Sequence, residues 1–268
     1  MNPAYPGILA ILLYAFGSYS QFRTLAHHAP THAKTLVAIA LPAIVLHGLY
    51  VLLVVDTRLG IDLSLFNVAA LIALAVTAAV IVASMRQPVQ NLYVFVFPLS
   101  AVAIGCSLML SATATPRDTI DAGLLTHIVT SVVAYSMLTL AAFQSALLLV
   151  LDSRIRRHVS IGLVRILPPL ETMEVVLFQW LWAGLALLTL AIATGFVFLF
   201  DQFSEHITQH HTVFSLASWI VYTGLLVGHQ VFGWRGATTT RWTLVAFFLL
   251  MLGYFGTKFV IEFVLGRG

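Results

Sequence analysis

Residues 123–151 read GLLTHIVTSVVAYSMLTLAAFQSALLLVL, a continuous apolar run that contains no Asp, Glu, Lys or Arg. The hydrocarbon core of a membrane is about 30 Å thick, and an α-helix needs about 20 residues to cross it. A barrel strand would instead alternate polar and apolar residues over about ten positions. This stretch therefore predicts a transmembrane helix.

The whole chain has the composition of a membrane protein. Of its 268 residues, 60% are hydrophobic and 9% are charged, and the mean hydropathy is +0.99. Soluble domains carry about a quarter charged residues. We expect an all-α, polytopic integral membrane protein with eight transmembrane helices, forming one domain over residues 1–268. The predicted spans lie near 5–22, 35–55, 64–85, 91–111, 123–151, 176–200, 211–232 and 242–264.

The distribution of basic residues predicts the orientation of these spans. The loops on one side hold Arg23, Lys34, Arg86, Arg154, Arg156, Arg157, Arg165, Arg235 and Arg241, whereas the other side holds Arg58, Arg117, Lys258 and Arg267. Cytoplasmic loops carry the excess of Lys and Arg, so both termini are expected outside. Residues 152–175 are then cytoplasmic, as an interfacial amphipathic segment or as a simple long basic loop.

Several function classes are disfavoured by what the sequence contains. Cys106 is the one cysteine, so the chain has no intrachain disulfide, no CxxC pair and no CxxCH haem attachment motif. The basic residues are spread thinly, which argues against nucleic-acid binding. The acidic residues all fall in loops, in the interfacial segment or at span ends, which weakens a proton relay or an ion pump as the function.

Histidines occur inside three predicted spans. His47 lies in the apolar run LPAIVLHGLYVLL of residues 41–53, about 12 Å from the outer end of its span at the helical rise of 1.5 Å per residue. His127 lies near the outer end of the fifth span, and Ser131 and Tyr135 share its helical face. An ionisable residue inside a membrane is a functional candidate by default.

The seventh predicted span carries a longer polar stripe. Its members all lie within about 40° of one line on an ideal helix, and they are His211, Ser215, Ser218, Tyr222 and His229. One interpretation is hydrogen bonding between packed helices, which accounts well for the serines and tyrosines. The other is a ligand site, which the histidines on three helices favour.

Haem is the ligand that suits these side chains best. Neutral imidazole ligates haem iron, and cations can meet the two haem carboxylates. The sequence offers Arg58, Arg117 and Lys258 as an outer cationic rim, although charged span ends also serve as membrane anchors. The remaining histidines, His27, His28, His32, His206 and His210, are expected to be solvated loop residues.

The residues also resemble a known family. THIVTSVVAYSMLTLAAFQSALLLV is similar to the histidine-bearing helix of the cytochrome c assembly protein family, which includes the haem-handling membrane proteins CcsA and CcmC. The run from TGFVF through SLASWIVYTGLLVGHQVFGWRG to LLMLGYFGTKFV resembles the C-terminal core of that family. The order of these motifs and the segment LPPLETMEVVLF are most similar to the small HemX-like and YpjD-like members.

The resemblance implies a non-covalently bound, b-type haem in a bundle of the bacterial inner membrane. His127 matches the outer haem histidine, and His229 approximates the histidine on the inner side. Trp219 is the match to a tryptophan-rich segment that is otherwise missing, and the last helix lacks the second outer histidine of the assembly enzymes. We therefore expect haem holding or transport rather than cytochrome c synthesis or other catalysis, with His47 or His211 as the partner of His127.

Two other functions stay open on the sequence alone. One is a regulatory or scaffolding membrane subunit that keeps the family fold without haem. The other is a transmembrane electron carrier, which would need two complete histidine pairs. The expected partners are haem, membrane lipids and other membrane proteins, including those of cytochrome c biogenesis.

Overall fold

A computed structural model describes residues 2–27, 33–57, 60–110, 121–156, 167–198 and 206–266, without the side chains of residues 33, 156 and 206–210. The described part is almost entirely helical. Its long helices are α1 (Ala4–Ala26), α2 (Ala33–Val55), α3 (Leu65–Ser84), α4 (Tyr93–Met109), α5 (Ala122–Arg156), α6 (Leu170–Phe198), α7 (His206–Phe232) and α8 (Ala237–Val264). The strands β1 (Asp56–Thr57) and β2 (Gly60–Ile61) form a small antiparallel hairpin, and a 3₁₀ turn spans Gln90–Leu92.

The predicted fold class is confirmed. Seven of the described helices, all except α1, contain segments that are long and apolar enough to cross a membrane. The chain is therefore an all-α polytopic membrane protein. The eighth span and the outer placement of both termini stay predictions.

The segment between the fifth and sixth spans is more helical than the sequence indicates. α5 continues beyond Leu151 to Arg156, and α6 begins at Leu170. Pro169 immediately precedes α6, and its carbonyl accepts a hydrogen bond from Met173 N at 3.1 Å. Proline suits a helix start because the first backbone N–H groups have no helical partner there. Residues 157–166 of the predicted interfacial segment lie outside the described part.

The chain divides into two compact units. The first, called unit 1, contains α1 to α4, and the second, called unit 2, contains α5 to α8. The single domain over residues 1–268 stays a prediction.

Unit 1 is a ring of four helices. Each helix packs against the next one in the chain, and α1 also packs against α4. This is the neighbour pattern of an up-and-down bundle with short connections. Small residues let α1 approach closely: a Cβ atom on Gly17 would lie 2.6 Å from the ring of Phe97, and one on Gly7 would lie 2.9 Å from Tyr50.

Unit 2 repeats the same neighbour pattern. α5 packs most extensively on α6, α7 packs on both α6 and α8, and α8 returns to α5. Hydrogen bonds fix the register of these antiparallel helices. Tyr135 on α5 donates to the Leu250 carbonyl on α8 at 3.0 Å, and Ser218 on α7 donates to the Ala246 carbonyl at 2.8 Å.

The second half of α8 departs from regular α-helical geometry. It contains π-helical turns at Leu252–Gly256 and Val260–Val264, separated by an α-helical turn at Thr257–Phe259. Turns of this kind are often found at functional sites. Gly253 brings the first of them close to α7, since a Cβ atom there would lie 3.4 Å from the His211 carbonyl oxygen.

Candidate functional site

His127 is held by a hydrogen bond that it donates to the neighbouring helix α6. Its Nδ1 lies 2.9 Å from the carbonyl oxygen of Ala191 and 3.3 Å from Thr194 Oγ1, both on α6. A carbonyl oxygen only accepts, so Nδ1 carries the proton and donates. The lone pair of the neutral imidazole is then on Nε2. Histidines that bind metals are oriented in the same way, by donating from the other ring nitrogen.

Gly195 provides the space in which the His127 ring lies. A Cβ atom at Gly195 would be 3.1 Å from His127 Cε1 and 3.4 Å from Nδ1. Ala191 and Gly195 are one turn apart on α6, so one face of this helix supplies both the hydrogen-bond acceptor and the room for the ring.

His211 lies close to His127 in the same unit. The two imidazoles are near enough to interact electrostatically. The His211 ring meets the ring of Tyr254 edge-on, with centroids 5.9 Å apart and planes at 77°. No hydrogen bond joins the His211 imidazole to any side chain or backbone group in the described part of the protein. Within the described residues, each of the two histidines therefore keeps at least one ring nitrogen without a hydrogen bond.

Aromatic side chains flank the two histidines. Tyr254, in the π-helical turn of α8, also meets Tyr135 on α5, with centroids 6.1 Å apart. Tyr135 is buried, and its hydroxyl donates to the Leu250 carbonyl, so its polar atom is already used within the protein. Ser131, one turn from His127 on α5, is half-buried. The predicted face of α5 thus reaches α8 through Tyr135.

Trp219 is engaged in a contact between helices. Its indole Nε1 donates to Thr189 Oγ1 on α6 at 2.8 Å. The hydrogen bond gives this residue a packing role between α6 and α7. Its predicted contact with a cofactor stays a prediction.

Lys258 forms an ion pair that sequence reasoning missed. Its Nζ lies 2.8 Å from Glu262 Oε1, and the Lys258 side chain is 30% exposed whereas the Glu262 side chain is 1% exposed. The i, i+4 spacing of the two residues was a signal for this pair. Glu262 also lies close enough to Tyr254 to interact electrostatically. Arg58 and Arg117, the other predicted rim cations, lie outside the described residues.

His47 lies in unit 1 and is fully buried. Its Nδ1 is 3.2 Å from the Tyr14 hydroxyl, and the two rings meet edge-on. Thr77 and Ser100, which are hydrogen-bonded to each other at 2.9 Å, adjoin the same hydroxyl. The Tyr14 hydroxyl is thus the centre of a polar cluster to which all four helices of unit 1 contribute, and His47 is its member from α2. Its pairing with His127 stays a prediction.

His229 resembles His127 in its hydrogen bonding. Its Nδ1 lies 2.7 Å from the Trp234 carbonyl oxygen, so Nδ1 donates and the lone pair is on Nε2. The ring stacks on Phe178 with centroids 3.5 Å apart. Gly233 and Gly236 adopt φ values of 66° and 63°, which allow the tight turn that presents the Trp234 carbonyl.

Among the remaining histidines, only His27 has a side chain within the described part of the chain. His27 follows the end of α1 and is exposed. His28 and His32 lie outside the described residues, as do the side chains of His206 and His210. Within the described ranges, no group of three or more His, Cys, Asp or Glu side chains could hold a metal ion. Haem differs from a bare metal ion, because the porphyrin already holds the iron and the protein supplies only two imidazole ligands.

A profile of the family described as cytochrome C assembly protein matches residues 33–265. The inner membrane protein YpjD of Escherichia coli is 28% identical over 210 residues, covering 78% of this chain and 79% of YpjD. An uncharacterized 28.8 kDa protein of Azospirillum brasilense is 36% identical over 141 residues, covering 52% of each chain. No solved structure matches the chain.

The comparisons and the helices together give the location of the protein. The seven candidate spans among the described residues and the similarity to an inner membrane protein identify a multi-pass protein of the bacterial inner membrane.

Proposed function

Because this chain belongs to the cytochrome c assembly protein family, we propose that it binds haem non-covalently in unit 2, with His127 and His211 as the axial ligands. The observation that carries the proposal is the hydrogen bond from His127 Nδ1 to the Ala191 carbonyl, which leaves Nε2 as the free donor of an electron pair. Haem, when bound, supplies an iron that accepts two imidazole nitrogens.

The chemistry of the surrounding residues fits such a group. The His211 imidazole has no hydrogen bond within the described part, and it is near enough to His127 to interact electrostatically. Tyr254 and Tyr135 provide aromatic surfaces of the kind that pack against a porphyrin. Lys258, partly exposed on α8, is a cation that can meet a haem carboxylate. These residues bind and orient the ligand, and none of them performs a reaction.

His229 is proposed as the second haem-binding position, at the opposite end of α7. Its Nδ1 donates to a backbone carbonyl as that of His127 does, and its ring is fixed against Phe178. The two positions lie near the two ends of one helix, which suits a protein that receives haem on one side of the membrane and holds it on the other. Haem movement between them would place this chain in haem handling for cytochrome c biogenesis.

A second candidate function is a haem-free scaffolding or regulatory subunit. The observation in its favour is that Tyr135, Trp219 and Lys258 already have partners within the protein. The fold of unit 2 therefore has internal contacts that do not need a ligand.

The experiment is a spectrum of the purified, detergent-solubilised protein with and without added haem. We expect a Soret band typical of two imidazole ligands at the outer position, and about one equivalent of haem for each of the two proposed positions. His127→Ala and His211→Ala should each weaken haem binding at the outer position at least tenfold, measured as the loss of one equivalent, and free imidazole should restore part of the band by occupying the vacated position. His27→Ala is the matched control, since His27 is exposed beyond the end of α1.

The outcomes separate the candidates. Wild-type protein that binds no haem would establish the scaffold instead. A loss of haem in His47→Ala, with normal binding in His211→Ala, would assign the second ligand to His47. If only His229→Ala lost haem, the haem would be bound at His229 and not at His127.

A further inference from the structure

Five buried side-chain polar atoms of unit 2 have no hydrogen-bond partner within the described residues. Four of them are Gln144 Oε1 and Ser145 Oγ on α5, the Tyr222 hydroxyl on α7 and Thr239 Oγ1 on α8, and the fifth is Trp180 Nε1 on α6. Ser145, Tyr222 and Thr239 are all 0% exposed, so lipid and bulk solvent do not reach them. A buried hydroxyl that lacks a partner is destabilising, and buried polar groups are almost always paired with protein or with ordered water.

The hydrogen bonds between helices place the first four of these atoms at one level of unit 2. Tyr135 on α5 is level with Leu250 on α8, and these two helices are antiparallel. Ser145 follows Tyr135 by ten residues, which brings it level with residue 240 and thus with Thr239. Ser145 on α5 and Thr239 on α8 therefore lie at the same level of unit 2.

The same reasoning applies to α7. Ser218 is level with Ala246 of α8, and Tyr222 lies one turn further along, level with residue 242. Gln144 Nε2 donates to the Met173 carbonyl on α6 at 2.9 Å, which leaves its Oε1 at the level of Ser145. Three helices thus contribute polar atoms within about one helical turn, or 5 Å along the axis.

The position of Tyr222 indicates that its hydroxyl faces the interior of the ring. α5 and α7 are opposite each other in unit 2, because each packs on α6 and on α8. Tyr222 is nevertheless close enough to Tyr135 of α5 to interact electrostatically. Its hydroxyl therefore lies on the side that faces α5, towards the centre of the four helices.

The hydrogen-bonding chemistry of the four groups indicates which kind of molecule they can bind. Three hydroxyls can each donate and accept, and the Gln144 carbonyl oxygen can only accept. None of the four groups is charged, so nothing among them offsets the charge of an ion. A small neutral molecule that both donates and accepts hydrogen bonds fits this set.

We propose that unit 2 contains an internal water site formed by Gln144, Ser145, Tyr222 and Thr239. Thr239 is the third residue of α8, so the site lies within one turn of the end of that helix, where water is available. Tyr222 extends it towards Tyr135, which flanks the candidate haem ligands. The interior of unit 2 is then hydrated from the α8 N-terminal end. The inference does not depend on haem binding.

The direct test is radiolytic footprinting of the full-length wild-type protein in lipid nanodiscs. Hydroxyl radicals form from water on irradiation, so they label buried side chains that lie beside bound water. Tyr50 is the matched control, because it is also 0% exposed but its hydroxyl donates to Ser107 Oγ at 2.7 Å. We expect Tyr222 to be labelled at least fivefold faster than Tyr50. Equal labelling of the two tyrosines would overturn the proposal.

Isosteric variants provide a second test. Removing a dry, unpartnered hydroxyl stabilises a protein, whereas removing a hydroxyl that holds water destabilises it. We therefore expect Thr239→Val and Tyr222→Phe each to lower the midpoint of thermal unfolding, and the double variant to lower it by less than the two separate shifts combined. An increase in the midpoint of either single variant would contradict a water site.

The dependence of the unfolding midpoint on sodium distinguishes bound water from a bound cation. Replacing sodium chloride by choline chloride should leave the unfolding midpoint of the wild type unchanged. A midpoint that falls when sodium is removed, and that no longer does so in Thr239→Val, would overturn the proposal in favour of an ion.

Discussion

The His127 ring and Gly195 are in contact across the interface of α5 and α6: a Cβ atom on Gly195 would lie 3.1 Å from His127 Cε1. The same face of α6 offers the Ala191 carbonyl that accepts the proton of His127 Nδ1. The orientation of a candidate haem ligand is therefore set by a neighbouring helix rather than by its own.

The first prediction concerns this glycine. Gly195→Val adds a branched side chain where the imidazole lies, so it should turn the ring away from Ala191 and reduce haem binding at least fivefold. The measurement is the haem content of the purified variant. Gly224→Val is the control, because nothing lies within 4 Å of a Cβ atom at that position. Wild-type haem content in Gly195→Val would show that the ring position does not matter.

The second prediction concerns the polar cluster of unit 1. Tyr14→Phe removes the partner of His47 Nδ1 within the membrane, where water cannot replace it, and should destabilise the protein by about 1–3 kcal/mol. His47→Leu should destabilise it similarly, and the double variant should cost less than the sum, because neither group is then left unpaired. Unfolding in sodium dodecyl sulfate measures all three. Strict additivity would mean that the 3.2 Å contact contributes nothing.

The third prediction concerns the ion pair of α8. Lys258→Met leaves the Glu262 carboxylate without its ammonium partner in a buried position, which should destabilise the protein by up to about 3 kcal/mol. Glu262→Gln should have a smaller effect, because Lys258 is partly exposed and its charge stays hydrated. The measured quantity is the free energy of unfolding. The reverse order of the two effects would show that Glu262 is not the desolvated member.

The fourth prediction separates packing from ligand binding at Trp219. Trp219→Phe and Thr189→Val each remove the same hydrogen bond, so both should lower stability by about 1 kcal/mol. We expect the haem content of the two variants to be equal. A haem loss in Trp219→Phe alone would instead assign this side chain to the cofactor.

The helices were predictable because the membrane imposes them. Long apolar runs without charge leave the backbone no partners except its own, and the spans follow from their length. The helix ends were less predictable: α5 continues to Arg156 because a helix can extend past the apolar run into polar surroundings. Periodicity also placed His127 and Tyr135 on one face, and α5 uses that face to reach α6 and α8.

The partners of these residues could not be predicted. Nothing in the spacing of α5 indicates that the His127 proton goes to the carbonyl of Ala191, because every residue on α6 has the same backbone groups. A seven-residue spacing of buried residues, as in Gly7, Tyr14 and Gln21 on α1, was a signal for the core of unit 1. The division into two rings of four helices depends on contacts between distant segments, so no local sequence pattern indicates it.

The wide turns of α8 have a consequence for how this chain can vary in length. A π-helical turn accommodates an additional residue, so a one-residue deletion within Leu252–Gly256 would yield a continuous α-helix instead of a broken one. The residues after the deletion would keep nearly the same direction around the helix axis, because the wide turn already absorbs the additional residue. Lys258 and Glu262 would keep both their mutual spacing and their direction, so the last helix can change its length by one residue without turning its charged face.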